Sequence, residues 1–193
     1  MARVEQIAGK TGAAAAPARA SEQVDFENAL SRTGTPEEFC AEVSSAFGVR
    51  LTEVALLRLE KGLLTFIFPN ELKTAGSIPI SSSSAVAVHT VLTKKVELFN
   101  NFLKVKHVSV FETVKFASSE QPAPVEHPPI QKLMSAPITD ADHKVLGILQ
   151  VCRKAVDLPT AGRDFTLDDL QQLESAAKVA SKQPFMKSGA TQH

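Results

Sequence analysis

Tryptophan and tyrosine are both absent from this 193-residue chain, and only two cysteines occur. Without Trp or Tyr, the usual aromatic cage for a cation cannot be built. Cys40 and Cys152 match no zinc or redox spacing, so they are read as reduced thiols in a cytoplasmic protein. No run of about 18 apolar residues occurs, which excludes a transmembrane helix. The N-terminus also lacks the hydrophobic core of a signal peptide. The formal net charge is +0, which points to no nucleic acid and no membrane as partner. Lys94, Lys95, Lys104, Lys106 and Lys115 make the middle locally basic, and they are read as a solvated face. No two histidines have the i, i+4 spacing of a metal-binding helix face, and no glycine loop could cradle a phosphate. No hydrolase triad or carboxylate pair stands out.

What is present is a hydrophobic content of 44%, ample for one core. Residues 1–23 are Ala-rich with no periodicity and read as a disordered tail. Val24 to Arg32 has Phe26 and Leu30 on one face and predicts a short helix, broken by Gly34. Thr35-Pro36-Glu37-Glu38 starts a helix, with Thr35 as N-cap, Pro36 at the first position and Glu38 closing a capping box. Phe39, Val43, Ala46 and Phe47 form its apolar stripe, and Gly48 is its C-cap. Glu53–Glu60 and Leu63–Phe68 predict a hairpin around Lys61-Gly62. Pro79 confines Ser77–Ile80 to a sheet edge. Ser81 to Ser84 supply possible caps for a helix reaching about Lys95, and Val96 to Phe99 reads as a strand. Leu103 to Phe116 is read as a helix, and the proline-rich stretch from Ala117 to Pro129 as a loop.

The clearest organisation lies between Met134 and Glu174. A strand beginning near Ile130 ends in Ala136-Pro137-Ile138, and Asp140 to His143 make a polar turn. Val145-Leu146-Gly147-Ile148-Leu149-Gln150-Val151 is the returning strand. Phe165 to Glu174 then opens a helix. Thr166 is the N-cap, Asp169 completes a capping box, and Phe165 with Leu170 forms a hydrophobic staple.

This order and spacing resemble the C-terminal half of a GAF domain, and the resemblance extends more weakly back to about Thr35. It implies an α+β, profilin/PAS-like fold: an antiparallel six-stranded sheet with helices packed on one face. The domain spans residues 24–182, followed by a flexible tail, 183–193. The resemblance further implies a small-molecule sensor, non-catalytic, paired as a homodimer through its terminal helices and acting on a separate partner. The ligand or cofactor is not identified. Ser84, His89, His107 and Phe111 are expected to line the pocket, because the family's geometry places these two segments beside it. The alternatives are a ligand-free dimerisation or docking scaffold, and a thiol-dependent free methionine sulfoxide reductase. That reductase family uses cysteines on the pocket loop and adjoining strands, and here no cysteine lies between Cys40 and Cys152. Of the family's cyclic-nucleotide signature, Lys154, Phe165 and Asp169 agree, while Arg153 and Leu170 replace its Asn and final Glu. A haem would take one axial histidine, His89 or His107, but both are read as ordinary satisfied histidines.

Overall fold

The structure is a computed structural model that describes residues 15–81, 85–104 and 128–187. Its centre is a six-stranded antiparallel sheet in the order β3-β2-β1-β6-β5-β4. The strands are β1 (Val54–Glu60), β2 (Leu63–Phe68), β3 (Ser77–Pro79), β4 (Glu97–Phe99), β5 (Ile130–Thr139) and β6 (Val145–Lys154). The helices are α1 (Ala15–Ser31), α2 (Pro36–Phe47), α3 (Val86–Thr93) and α4 (Leu167–Ala180).

Local signals set most of these boundaries. Lys61 and Gly62 both have positive φ, 49° and 80°, as a two-residue turn must to match the twist of its strands. Asp140 Oδ1 accepts hydrogen bonds from the amides of Asp142 and Lys144 and so closes the β5–β6 turn. Both capping boxes form: Thr35 with Glu38 on α2, and Thr166 with Asp169 on α4. Gly48 ends α2 in the left-handed conformation at φ 58°. β3 is an edge strand, as Pro79 requires.

Successive residues of a strand point to opposite faces, and this sheet is covered on both. On the first face, α1, α2 and α4 pack against Val54, Leu56, Met134, Ala136, Ile138, Leu149 and Val151. Phe26 and Phe47 meet edge-to-face at 6.5 Å within this layer, joining α1 to α2. On the second face, α3 brings Ala87, Val88 and Val91 over Ala55, Leu57, Leu64 and Phe66. The first layer is the helical layer the resemblance implies, and among the described residues α3 is the one helix across the sheet from it. A bulge opposite Leu56 and Leu57 adds Ile67 to β2, so Phe68 turns to the first face while Leu64 and Phe66 keep to the second. Gly147 is required by close approach, since a Cβ there would overlap the Leu57 carbonyl and lie 2.7 Å from Met186 Cε.

Several expectations are corrected. The first helix begins at Ala15 instead of Val24, taking in part of the residues read as a tail; alanine is the strongest helix former. Residues 1–14 lie outside the described residues. Ala46 is exposed, and Cys40 takes its place on the buried stripe of α2. The N-cap of α3 is Ala85, with no side-chain cap bond, in place of any of the four serines. The expected flexible tail is anchored over its first residues: Met186 is buried, Phe185 meets Phe39 edge-to-face at 5.8 Å, and Gln183 Nε2 donates to the carbonyl of Leu30, while residues 188–193 lie outside the described residues. Of the expected helix Leu103–Phe116, only Leu103 and Lys104 are described, in a 3-10 turn, and of the proline-rich loop only Pro128 and Pro129.

Candidate functional site

The second face of the sheet has a polar row running through it. Glu97 of β4 pairs with Ser135 of β5, Ser135 with Gln150 of β6, and Gln150 with Ala55 of β1. Ser135 and Gln150 are buried, at 0% and 3% exposure. They divide the apolar packing of this face in two. Ile148 belongs to the cluster under α3, whereas Leu133 and Cys152 belong to another with Val86, Phe102 and Ile130.

α3 lowers Thr90 onto this row. Its hydroxyl lies 2.8 Å from Ser135 Oγ, 2.7 Å from Glu97 Oε2 and 2.9 Å from the Val86 carbonyl. A hydroxyl has one proton, and the carboxylate is the stronger acceptor. Thr90 therefore donates to Glu97 and accepts from Ser135, and Ser135 in turn accepts from Gln150 Nε2 at 3.2 Å. The other Glu97 oxygen faces His89 Nδ1 at 2.7 Å. Because a carboxylate only accepts, Nδ1 carries the proton, and in the neutral ring Nε2 is the nitrogen with the lone pair. The result is a directed chain, Gln150 to Ser135 to Thr90 to Glu97, with His89 closing it from the other side. The Glu97 side chain is 14% exposed and that of His89 43%, so the chain runs from the buried sheet to the surface.

Of the expected pocket residues, His89 takes part in this network, while Ser84, His107 and Phe111 lie outside the described residues. Thr90, Glu97, Ser135 and Gln150 were not singled out from the sequence. Their one visible sign is that Ser135 and Gln150 interrupt the otherwise apolar runs Leu133–Ile138 and Val145–Cys152.

The sequence pattern of the GAF domain matches residues 37–183. The chain belongs to the GAF domain family. Solved structures agree on the fold. The GAF domain of an Acinetobacter phosphoenolpyruvate-protein phosphotransferase superposes with a TM-score of 0.60 at 13% identity, covering 85% of this chain and 90% of that one. The corresponding domain from Coxiella burnetii gives 0.55 at 8%, covering 86% and 95%. A free methionine-R-sulfoxide reductase from Neisseria meningitidis, in complex with its substrate, gives 0.55 at 14%, covering 89% and 91%. No curated protein matches the chain by sequence.

In this GAF domain the residues that echo a cyclic-nucleotide signature have structural partners. Asp169 accepts both guanidinium nitrogens of Arg163, at 2.6 and 2.8 Å, as well as the Thr166 amide. The Arg163 hydrogen bonds hold its carboxyl down to about 2 against the opposing effect of burial. Phe165 lies beneath the Arg153 guanidinium, 4.8 Å from its ring centre, while Arg153 donates to the carbonyls of Phe47 and Gly48. Lys154 reaches the Thr52 carbonyl through Nζ, and its amide donates to buried Glu53. Burial opposes ionisation of Glu53, but the Arg50 side chain and the amides of Lys154 and Arg50 together lower its pKa.

Cys40 sits in the first-face core and Cys152 in the second, so the sheet separates the two buried thiols. Burial, with Glu37 nearby, pushes the Cys40 thiol up. Among the described residues no group of three or more His, Cys, Asp or Glu could hold a metal ion. Among them, too, no helix is long and apolar enough to cross a membrane.

Proposed function

We propose that this GAF domain is a sensory module that binds a small molecule on the second face of its sheet. The observation that carries this is the polar row from Gln150 to His89, set between two apolar clusters and open to the surface at one end. Ligand sites in general combine apolar walls with a few oriented polar groups. His89 is the polar group nearest the surface, and Ser84, His107 and Phe111 complete the proposed lining. The ligand is read as a polar molecule able to donate to a carboxylate or to exchange a hydrogen bond with imidazole.

The proposal includes a cytoplasmic homodimer formed through α1 and α4 and acting on a separate protein. The exposure of Val24 on α1, 55%, and of Leu167 on α4, 74%, supports apolar pairing there. The reading is non-catalytic. A reductase reading is suggested by the structural neighbours, but the placement of Cys40 and Cys152 on opposite faces weighs against it, because thiol chemistry needs a resolving partner within reach.

The test is native mass spectrometry of gently purified protein, followed by thermal melts with each molecule that co-purifies. A ligand should raise the melting temperature increasingly as its concentration exceeds its Kd, and His89→Ala should weaken its affinity about tenfold. If nothing co-purifies and no metabolite in a broad panel shifts the melt, the sensory reading fails and the scaffold reading replaces it.

A further inference from the structure

A second opening lies on the other side of the α3–β4 connection. Lys94, Lys95 and Val96 form one wall, Pro137 and Thr139 at the end of β5 and His143 of the turn form another, and Glu174 and Lys178 of α4 close it. The cleft has a volume of about 520 Å³, in the range of small-molecule sites.

We infer that this cleft binds a small oxyanion carrying an apolar body. Three ammonium groups face one carboxylate. Lys178 is neutralised by Glu174 at 3.2 Å, but Lys94 Nζ is held 2.9 Å from the carbonyl of His143, a neutral partner that leaves its charge uncompensated. Lys95 has no ionic partner among the described residues. The cleft therefore retains two net positive charges, and one of them is fixed in place by a hydrogen bond.

The fixing is built into the backbone. Three non-glycine residues among those described have positive φ, and two of them line this cleft: Lys94 at 55° and His143 at 58°. The hydrogen bond between them ties the end of α3 to the β5–β6 turn. A long lysine side chain held this way loses less freedom on meeting an anion than a free one. Val96 and Pro137 offer apolar surface beside the charges, and Thr139 adds a hydroxyl donor. Phosphate monoesters and dicarboxylates share the chemistry this site would recognise.

The cleft is separate from the polar row but joined to it by one short segment. His89, Thr90 and Glu97 serve the row, while Lys94, Lys95 and Val96 lie between them and serve the cleft. The inference does not depend on a ligand at the row.

The test is calorimetric titration of the full chain with phenyl phosphate, phthalate and inorganic phosphate. Phenyl phosphate or phthalate should bind saturably at millimolar concentration or below, and about tenfold tighter than inorganic phosphate. Preference between the first two identifies the anion class. Lys95→Glu should weaken binding by at least about tenfold. Lys104→Glu, past β4 toward the opposite end of β5 from this cleft, makes the same change of charge and should leave binding within about twofold. These exposed positions let both variants fold, as a thermal melt will verify. Absence of saturable binding to the wild type overturns the inference, and so does equal weakening by the two substitutions, which would reveal only a general charge effect.

Discussion

The two faces of the sheet are built on different terms. The first is an apolar layer closed by three helices, in which Phe39, Phe47, Leu56, Leu149 and Leu173 are at most 1% exposed. The second is split, with apolar clusters on either side of a hydrogen-bonded row. Burying a Leu or Phe side chain is worth roughly 1.5–3 kcal/mol, whereas a satisfied buried hydrogen bond contributes only about 1 kcal/mol. The first face can therefore supply most of the stability, while the second accepts polar groups whose value lies in orientation. A binding surface needs such groups, and a core does not.

The largest expected effect tests the first half of that contrast. Phe39→Ala should cost about 3–5 kcal/mol, because a ring is lost between α2 and Phe185 where neighbours cannot close the gap. Urea melts measure it. A loss under about 1 kcal/mol would mean that the helical layer is not the main source of stability.

Gly147→Ala should destabilise by about 3 kcal/mol, since the new methyl meets the backbone of β1, which cannot yield as a side chain tip can. Wild-type stability in this variant would show that β1 and β6 sit farther apart than described.

Acid should act on the first face through Asp169. Its carboxyl is held near 2 in the folded protein against an ordinary value of 3.8. A depressed folded pKa stabilises above the unfolded value, so the contribution is complete above about pH 4 and is lost as pH falls through about 2. The loss should be on the order of 2 kcal/mol, tempered by the exposure of Arg163. Denaturant melts from pH 5 to 2 should show a step that Asp169→Asn abolishes; an unchanged step would assign it to another carboxylate.

The smallest expected effects probe the second face. Thr90→Val removes the donor to Glu97 and the acceptor for Ser135, and should cost about 1–2 kcal/mol. His89→Ala, nearer the surface, should cost under about 0.5 kcal/mol. If His89→Ala proved the more damaging of the two in melts without ligand, His89 would be a structural residue and the contrast between the faces would weaken.

What could be read from the chain follows from the range of the forces involved. The Thr35–Glu38 and Thr166–Asp169 capping boxes each join residues three apart, and the Lys61-Gly62 turn is set by two adjacent residues. Such signals are complete within a few positions, and they sufficed to place the strands, α2, α4 and the resemblance to GAF domains. The start of α1 is not legible in the sequence, because alanine favours helix without leaving a periodic stripe. Ala46 fits the helical spacing yet is exposed, because spacing alone does not say how wide the buried stripe is. The polar row was not legible, since residues 90, 97, 135 and 150 meet only through strand register and the placement of α3. Phe68 changes face because of a bulge against β1, which only the pairing reveals.

The chain alone thus determined the two capping boxes and the hairpin turns, since these are settled by neighbours in sequence. Only the tertiary structure decided that Glu97, Ser135 and Gln150 form one row, that the two thiols lie across the sheet from each other, and that Lys94 leans on His143. Those relations depend on which strands pair and in what register, and that is fixed by the burial of both faces together.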